Sequence, residues 1–188
     1  MEAFLVSTGI VAIAEIGDKT QLLALMLAAR YRKPWPIVLG ILCATLANHA
    51  IAALIGAEVA AWVGVETMRW ILAASFLVMA GWCLIPDKAE DGPQVARQAG
   101  AFIATLVAFF IVEIGDKTQI ATVALAARFQ SLVAVTAGTT AGMLLANVPV
   151  VLFGDAIAKR LPLRIVRAVA AILFLVLGIA AVAMPVSR

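Results

Sequence analysis

The chain has 188 residues, of which 64% are hydrophobic and only 13% are charged, with a net charge of +3. A soluble domain is about 45–50% apolar, so this composition excludes a soluble globular protein and indicates one embedded in the lipid bilayer. The 14 basic residues are spread over several loops, which argues against a nucleic-acid-binding face and makes them signals of membrane topology.

Six apolar segments follow one another along the chain. A transmembrane helix needs about 20 such residues, and all six segments qualify, although the third is short. We therefore predict an all-α integral membrane protein with six transmembrane helices. The segments are Ala3–Ala29, Trp35–Trp62, Trp70–Ile85, Gly100–Ala127, Leu132–Phe153 and Ile165–Met184.

The first and fourth segments are longer than a bilayer requires. They have 27 and 28 residues, roughly 40 Å as straight helices, whereas the hydrocarbon core is about 30 Å thick. Each must tilt, overrun the interface or break. Gly17 and Gly115 lie inside these segments, and interrupted helices in corresponding halves of a chain are typical of transporter binding sites.

The two long segments carry the same motif. Residues 15–21, EIGDKTQ, return unchanged as residues 113–119, which is 98 positions later, and further matches share this offset, such as Phe76-Leu77-Val78 with Phe174-Leu175-Val176. We predict two three-helix repeats, 1–85 and 100–188, joined by a polar linker at 86–99. Because three is an odd number of spans, the repeats are predicted to be inverted relative to each other.

The loops predict an orientation. Lys and Arg are enriched in cytoplasmic loops, and they are concentrated in the loops that would be cytoplasmic if the chain began outside. We therefore predict that both termini lie outside the cytoplasm.

The motifs place charge where a membrane helix tolerates it least, at a cost of at least ~2.5–3.5 kcal/mol per charged residue. Residues three and four apart share a helical face, so the acid and lysine side chains of each motif are expected to project together. Inverted packing would bring both sets to one site. The predicted metal ligands are Glu15, Asp18, Glu113 and Asp116, and the predicted supporting polar residues are Lys19, Thr20, Gln21, Asn48, Lys117, Thr118, Gln119 and Asn147.

Carboxylate and amide oxygens suit hard divalent cations such as Mg²⁺, Ca²⁺ and Mn²⁺. In the absence of a cation, crowded carboxylates in a medium of low dielectric constant should bind protons, because desolvation and like charge both favour the neutral acid. Competition between a cation and protons for the same oxygens predicts a cation/proton antiporter.

Several side chains leave two interpretations open. Each motif lysine either moves between carboxylate partners during transport or permanently neutralises one acid. Asn48 and Asn147 are either ligands or interhelical hydrogen-bond donors. His49 is interpreted as a packing residue, with proton shuttling as the alternative. Cys43 and Cys83 lie in apolar spans and are interpreted as buried filler.

Two E-x-G-D-(K/R)-(T/S) motifs in six spans, arranged three plus three, resemble the small manganese/calcium transporter family, whose eukaryotic members sit in the Golgi membrane. The resemblance covers essentially the whole chain. It implies a multi-pass protein of the cell inner membrane that exports Mn²⁺, with Ca²⁺ as a second cation, in exchange for protons. It also implies that the motif acids hold the metal and that no cofactor is needed beyond the transported ion.

Three other classes compete with this interpretation. An exporter of a small organic solute, such as an amino acid, could use the lysines and acids to bind a zwitterion. An intramembrane enzyme could use paired carboxylates, but no nucleophile or cofactor motif accompanies them. A structural or assembly factor would not need the charge of Glu15. The sequence leaves the oligomeric state open.

Overall fold

The structure is a computed structural model that describes residues 1–85, 100–154 and 163–183. These residues form eight α-helices and no β-strand, which confirms the all-α class. The predicted linker at 86–99 lies outside the described residues. The helices are α1 (Glu2–Glu15), α2 (Lys19–Tyr31), α3 (Pro34–Val63), α4 (Val65–Cys83), α5 (Ala101–Glu113), α6 (Lys117–Phe129), α7 (Leu132–Phe153) and α8 (Leu163–Ala183).

The described part therefore has eight helices rather than the predicted six. The difference comes from the first and fourth segments, each of which is broken into two helices at its motif. Of the three ways to fit an overlong segment, the structure uses the break. The fifth segment matches α7 residue for residue.

By length and composition, two of the described helices could each cross a bilayer. α3 and α7 have mean hydropathies of 2.0 and 1.5 over their most apolar windows. α5 and residues Arg167–Ala183 of α8 are apolar but shorter. Large apolar side chains also remain exposed along the outer surface, as expected where lipid replaces water; examples are Leu39, Leu46 and Leu54 on α3.

Close helix packing depends on glycines without side chains. A Cβ added at Gly138 of α7 would lie 2.5 Å from the carbonyl oxygen of Phe4, and one added at Gly142 would lie 2.6 Å from that of Thr8. On α3, a Cβ at Gly40 would lie 2.9 Å from the carbonyl oxygen of Phe102. Small residues thus bring α7 against α1 and α3 against α5.

Several contacts between helices are reciprocal between the two halves of the chain. α1 packs on α7 and α5 packs on α3, while α2 contacts α5 and α6 contacts α1. α4 and α8 pack on each other. Their contact includes the stacked rings of Phe76 and Phe174, with centroids 6.2 Å apart. Because these two residues are equivalent in the repeats, matching positions of the two halves meet there.

Candidate functional site

The two helix breaks are built in the same way. α1 ends at Glu15 and α2 begins at Lys19, while α5 ends at Glu113 and α6 begins at Lys117. Between them, Gly17 and Gly115 have φ angles of 82° and 75°, a conformation that glycine adopts without the Cβ penalty of other residues. Each segment is therefore broken at its glycine, between the glutamate and the aspartate of the motif.

The motif glutamines stabilise the breaks. The Gly17 backbone N–H donates to Oε1 of Gln21 at 3.0 Å, and the Gly115 N–H donates to Oε1 of Gln119 at 2.7 Å. Gln21 also donates through Nε2 to the carbonyl oxygen of Ala146 on α7, at 3.0 Å. These amides satisfy backbone donors that the break exposes, so their main contacts are structural.

Three motif carboxylates converge between the halves. Glu15, Glu113 and Asp116 each offer an oxygen, and these oxygens lie within 4.8 Å of one another. All three side chains are buried. Glu15 comes from the first repeat and the other two come from the second, so the cluster requires both halves of the chain.

Asp18 is not part of this three-acid cluster. It is fully buried, and its Oδ1 accepts a hydrogen bond from Nζ of Lys117 at 2.8 Å. The reciprocal pair joins Lys19 Nζ and Asp116 Oδ1 at 3.4 Å. Each motif lysine thus contacts the aspartate of the other motif.

Two threonines connect to the acids. Thr20 donates a hydrogen bond to Oε2 of Glu15. Thr118 lies 3.2 Å from Oε2 of Glu113 and 3.4 Å from Oδ2 of Asp116. The remaining oxygens, Glu15 Oε1 and Glu113 Oε1, are buried and have no hydrogen-bond partner among the described residues.

The two asparagines make different contacts. Asn48 donates to the carbonyl oxygen of Phe110 on α5 at 3.0 Å, so it links two helices. Asn147 donates to the carbonyl oxygen of Met143 in its own helix at 3.1 Å. Its Oδ1 is buried without a hydrogen-bond partner in the described part of the chain, which leaves that oxygen able to accept a donor or a cation.

The prediction that the two acids of each motif share a helical face was wrong. Glu15 and Asp18 were expected to share one helical face, as were Glu113 and Asp116, but in each pair the helix break separates the two. Each aspartate instead precedes the first residue of a new helix, with extended backbone angles. The acids are buried because the breaks meet in the protein interior.

His49, which the sequence analysis interpreted as a packing residue, lies beside the acid cluster. Its side chain is fully buried, and its Nε2 lies 3.8 Å from Oε2 of Glu113. A signal was present, because His49 is the only histidine of the chain and lies mid-span beside Asn48. Its repeat counterpart, the valine that follows Asn147, gave no matching signal.

Buried carboxylates at paired helix breaks define a class of membrane transport proteins. The family model that describes the "Divalent cation/proton antiporter GDT1" matches residues 3–91 and 101–187 of this chain. The chain therefore belongs to the GDT1 family of divalent cation/proton antiporters, which is a transporter family and not an enzyme class.

Curated relatives agree with this family. The chain is 54% identical, over 96% of its length and 90% of the relative, to a Vibrio cholerae protein named "Putative manganese exporter". It is 28% identical, over 93% of both chains, to GDT1-like protein sll0615 of a Synechocystis species. It is 26% identical, over 94% of its length and 58% of the relative, to the Arabidopsis thaliana Protein PAM71-homolog, chloroplastic. No solved structure matches the chain significantly.

Proposed function

We propose that this protein exports Mn²⁺ from the cytoplasm in exchange for protons, and that Glu15, Glu113 and Asp116 hold the cation in transit. The observation that carries the proposal is the convergence of three buried carboxylate oxygens within 4.8 Å. The name of the Vibrio cholerae relative supports Mn²⁺ as the substrate. Ca²⁺ is proposed as a second, weaker substrate because it also binds carboxylate oxygens.

The donor set fits a hard divalent cation. Glu15 and Glu113 each keep one buried oxygen without a hydrogen-bond partner in the described residues, and such an atom is costly unless a cation or proton occupies it. A cation satisfies both oxygens at once. In its absence, protons neutralise the acids, so the same atoms serve the two transported species in turn.

The lysines give the exchange a second component. Asp116 belongs both to the acid cluster and to the ion pair with Lys19 at 3.4 Å. A cation that binds Asp116 therefore competes with the lysine for one carboxylate. We propose that Lys19 moves away from Asp116 when the cation binds and returns when it leaves, whereas the tighter Lys117–Asp18 pair stays closed.

The repeats are proposed to be inverted, as three-span units 1–85 and 100–188. The reciprocal contacts of α1 with α7 and α5 with α3 support a two-fold relation, because it exchanges one pair for the other. The odd number of spans in each unit is the reason to propose that this relation is an inversion. Rocking of one unit against the other would open the acid cluster alternately to each side of the membrane.

A transport measurement tests the function. Liposomes that contain the purified protein and a Mn²⁺-sensitive dye should accumulate Mn²⁺ when their interior is more acidic than the medium. An ionophore that collapses this pH gradient should abolish the accumulation. Glu113→Gln and Asp116→Asn should each lower the initial rate at least about a hundredfold, since each removes a charged ligand from a low-dielectric site. Flux that ignores the gradient would contradict the proton coupling.

Matched controls separate the site from general effects of charge loss. Glu58 lies on α3 and is exposed, so Glu58→Gln should keep the wild-type rate. Added Mn²⁺ should raise the melting temperature of the wild type, whereas an amino acid should not. Stabilisation by an amino acid alone would favour the organic-solute exporter instead.

The proposed location is the cell inner membrane, with both termini outside the cytoplasm. Alkaline phosphatase, which is active only outside the cytoplasm, should therefore be active when fused after Arg188. A fluorescent protein that folds only in the cytoplasm should be dark at the same position. The opposite pair of results would reverse the orientation and leave the cation site unaffected.

A further inference from the structure

His49 occupies an unusual position for a packing residue. It lies on α3 with its side chain fully buried. Among the described residues, neither of its ring nitrogens has a hydrogen-bond partner. Its Nε2 lies 3.8 Å from Oε2 of Glu113, which is too long for a hydrogen bond.

Packing alone does not account for a histidine here. A buried polar group without a partner costs about 1–3 kcal/mol, whereas an apolar side chain of similar volume would carry no such cost. The second repeat illustrates the alternative, because Val148 follows Asn147 where His49 follows Asn48. We therefore expect the imidazole to bind a partner at some stage of the protein's function, because such a partner would offset this cost.

We propose that His49 is a nitrogen ligand to the cation held by Glu15, Glu113 and Asp116, and that it makes the site prefer Mn²⁺ to Ca²⁺. This inference rests on the proposed function and adds a determinant of selectivity to it. Two atoms that each lie about 2.2 Å from one ion are separated by roughly 3–4.4 Å. The 3.8 Å between Nε2 of His49 and Oε2 of Glu113 falls in that interval. The imidazole is not among the groups that lie within 4.8 Å of one another, so it must move towards Glu15 and Asp116 when the cation binds.

The chemistry of the ligand explains the preference. Ca²⁺ and Mg²⁺ bind oxygen almost exclusively, whereas Mn²⁺ favours oxygen as they do but, as a first-row transition metal, also accepts a nitrogen ligand. Three carboxylates alone would accept any of these cations. One imidazole nitrogen added to them strengthens binding of Mn²⁺ and contributes little to that of Ca²⁺. The histidine that only the first repeat carries at this position therefore makes the site selective for Mn²⁺.

The single histidine allows a test without mutation. The protein, carrying no histidine tag, is labelled with ¹⁵N only at histidine, and one equivalent of Mn²⁺ is added. Pulsed electron paramagnetic resonance should then detect hyperfine coupling between Mn²⁺ and a directly bound ¹⁵N, replacing the ¹⁴N signal of the unlabelled protein. Because His49 is the only histidine, the signal identifies the ligand.

Competition binding measures the selectivity. His49→Gln replaces the nitrogen donor with an amide oxygen and should lower the ratio of Mn²⁺ to Ca²⁺ affinity at least about tenfold. Thr45→Val removes another buried polar atom one turn away on the same helix and should leave that ratio unchanged. An equal loss in both variants would attribute the effect to helix packing and overturn the proposal.

The outcomes distinguish the two proposals. If Mn²⁺ binds and depends on Glu113 but shows no histidine nitrogen coupling, His49 is not a ligand, and the proposed function stands without it. If Mn²⁺ does not bind the wild-type protein at all, both proposals fail. Nitrogen coupling in the wild type that is absent from Mn²⁺-loaded His49→Gln supports the assignment.

Discussion

The two cross-repeat ion pairs differ in burial, and this difference matters for stability. The Lys117 side chain is 6% exposed and lies 2.8 Å from a fully buried Asp18, whereas Lys19 is 19% exposed and lies 3.4 Å from Asp116. Removing one member of a buried pair leaves an uncompensated charge in a low-dielectric interior. The penalty should therefore be larger for the Lys117 pair.

We predict that Lys117→Met lowers the free energy of unfolding by about 3–5 kcal/mol, and that Lys19→Met lowers it by clearly less. The measurement is denaturant unfolding in detergent micelles, followed by tryptophan fluorescence. Adding Asp18→Asn to Lys117→Met should recover part of the loss, because it removes the carboxylate that was left without its ion-pair partner. Equal losses in the two single variants would contradict the distinction.

At this scale the sequence could predict the charged residues but not their partners. The doubled motif predicted that Glu15, Asp18, Glu113 and Asp116 share one site, whereas the structure groups three of them and pairs Asp18 with Lys117. It could not show that Lys19 contacts Asp116 rather than Asp18, its own neighbour, because that pairing depends on how the repeats pack. His49 was interpreted as packing for the same reason, since its proximity to Glu113 is a tertiary contact.

At the scale of the helices, the breaks carry the site. Gly115 has a φ of 75°, and a Cβ added there would contact nothing within 4 Å. A side chain at this position would therefore meet only the conformational penalty of the left-handed region. The break itself, rather than nearby packing, is what the glycine makes possible.

We expect Gly115→Ala to lower the free energy of unfolding by about 1–2 kcal/mol and to slow Mn²⁺ flux in liposomes. Gly9 provides the matched control, because it lies inside α1 with equally open space around it. Gly9→Ala should be neutral or should stabilise by up to about 1 kcal/mol. The prediction fails if the two alanine variants unfold at the same denaturant concentration.

The excess length of the first and fourth segments predicted a distortion, and the glycines indicated where a break would fall. Length alone could not decide between a tilt and a break, because both fit 27 residues into a thinner core. The break is stabilised by Gln21 and Gln119, whose side-chain oxygens accept hydrogen bonds from the glycine N–H groups. Such side-chain-to-backbone bonds are specified only once the chain has folded.

At the scale of the molecule, the proposed function derives coupling to protons from two species that share one set of carboxylates. A protonated carboxyl group is a poor metal ligand, so binding a cation must release protons. We therefore predict that the affinity for Mn²⁺ is highest at high pH and falls as the pH falls, by about tenfold per pH unit for each proton released.

Calorimetric titration with Mn²⁺ in buffers of different ionisation enthalpy counts the released protons directly. The wild type should release at least one proton per ion below neutral pH, and Glu113→Gln should release fewer, because it removes a buried acid that a proton neutralises when no cation is bound. Glu58→Gln should match the wild type, because Glu58 is exposed and has no proposed role in cation binding. A heat of binding that does not vary with the buffer would show that metal and protons do not compete.

The crossed lysine–aspartate pairs also bear on how such a chain could have arisen. Each half supplies a cation that pairs with an anion in the other half, so the two halves stabilise each other electrostatically. If the repeats are inverted as proposed, a shorter ancestor with a single motif would have paired with a second copy inserted in the opposite orientation in the same bilayer. Gene fusion would then have joined in one chain two subunits that previously had to associate by diffusion.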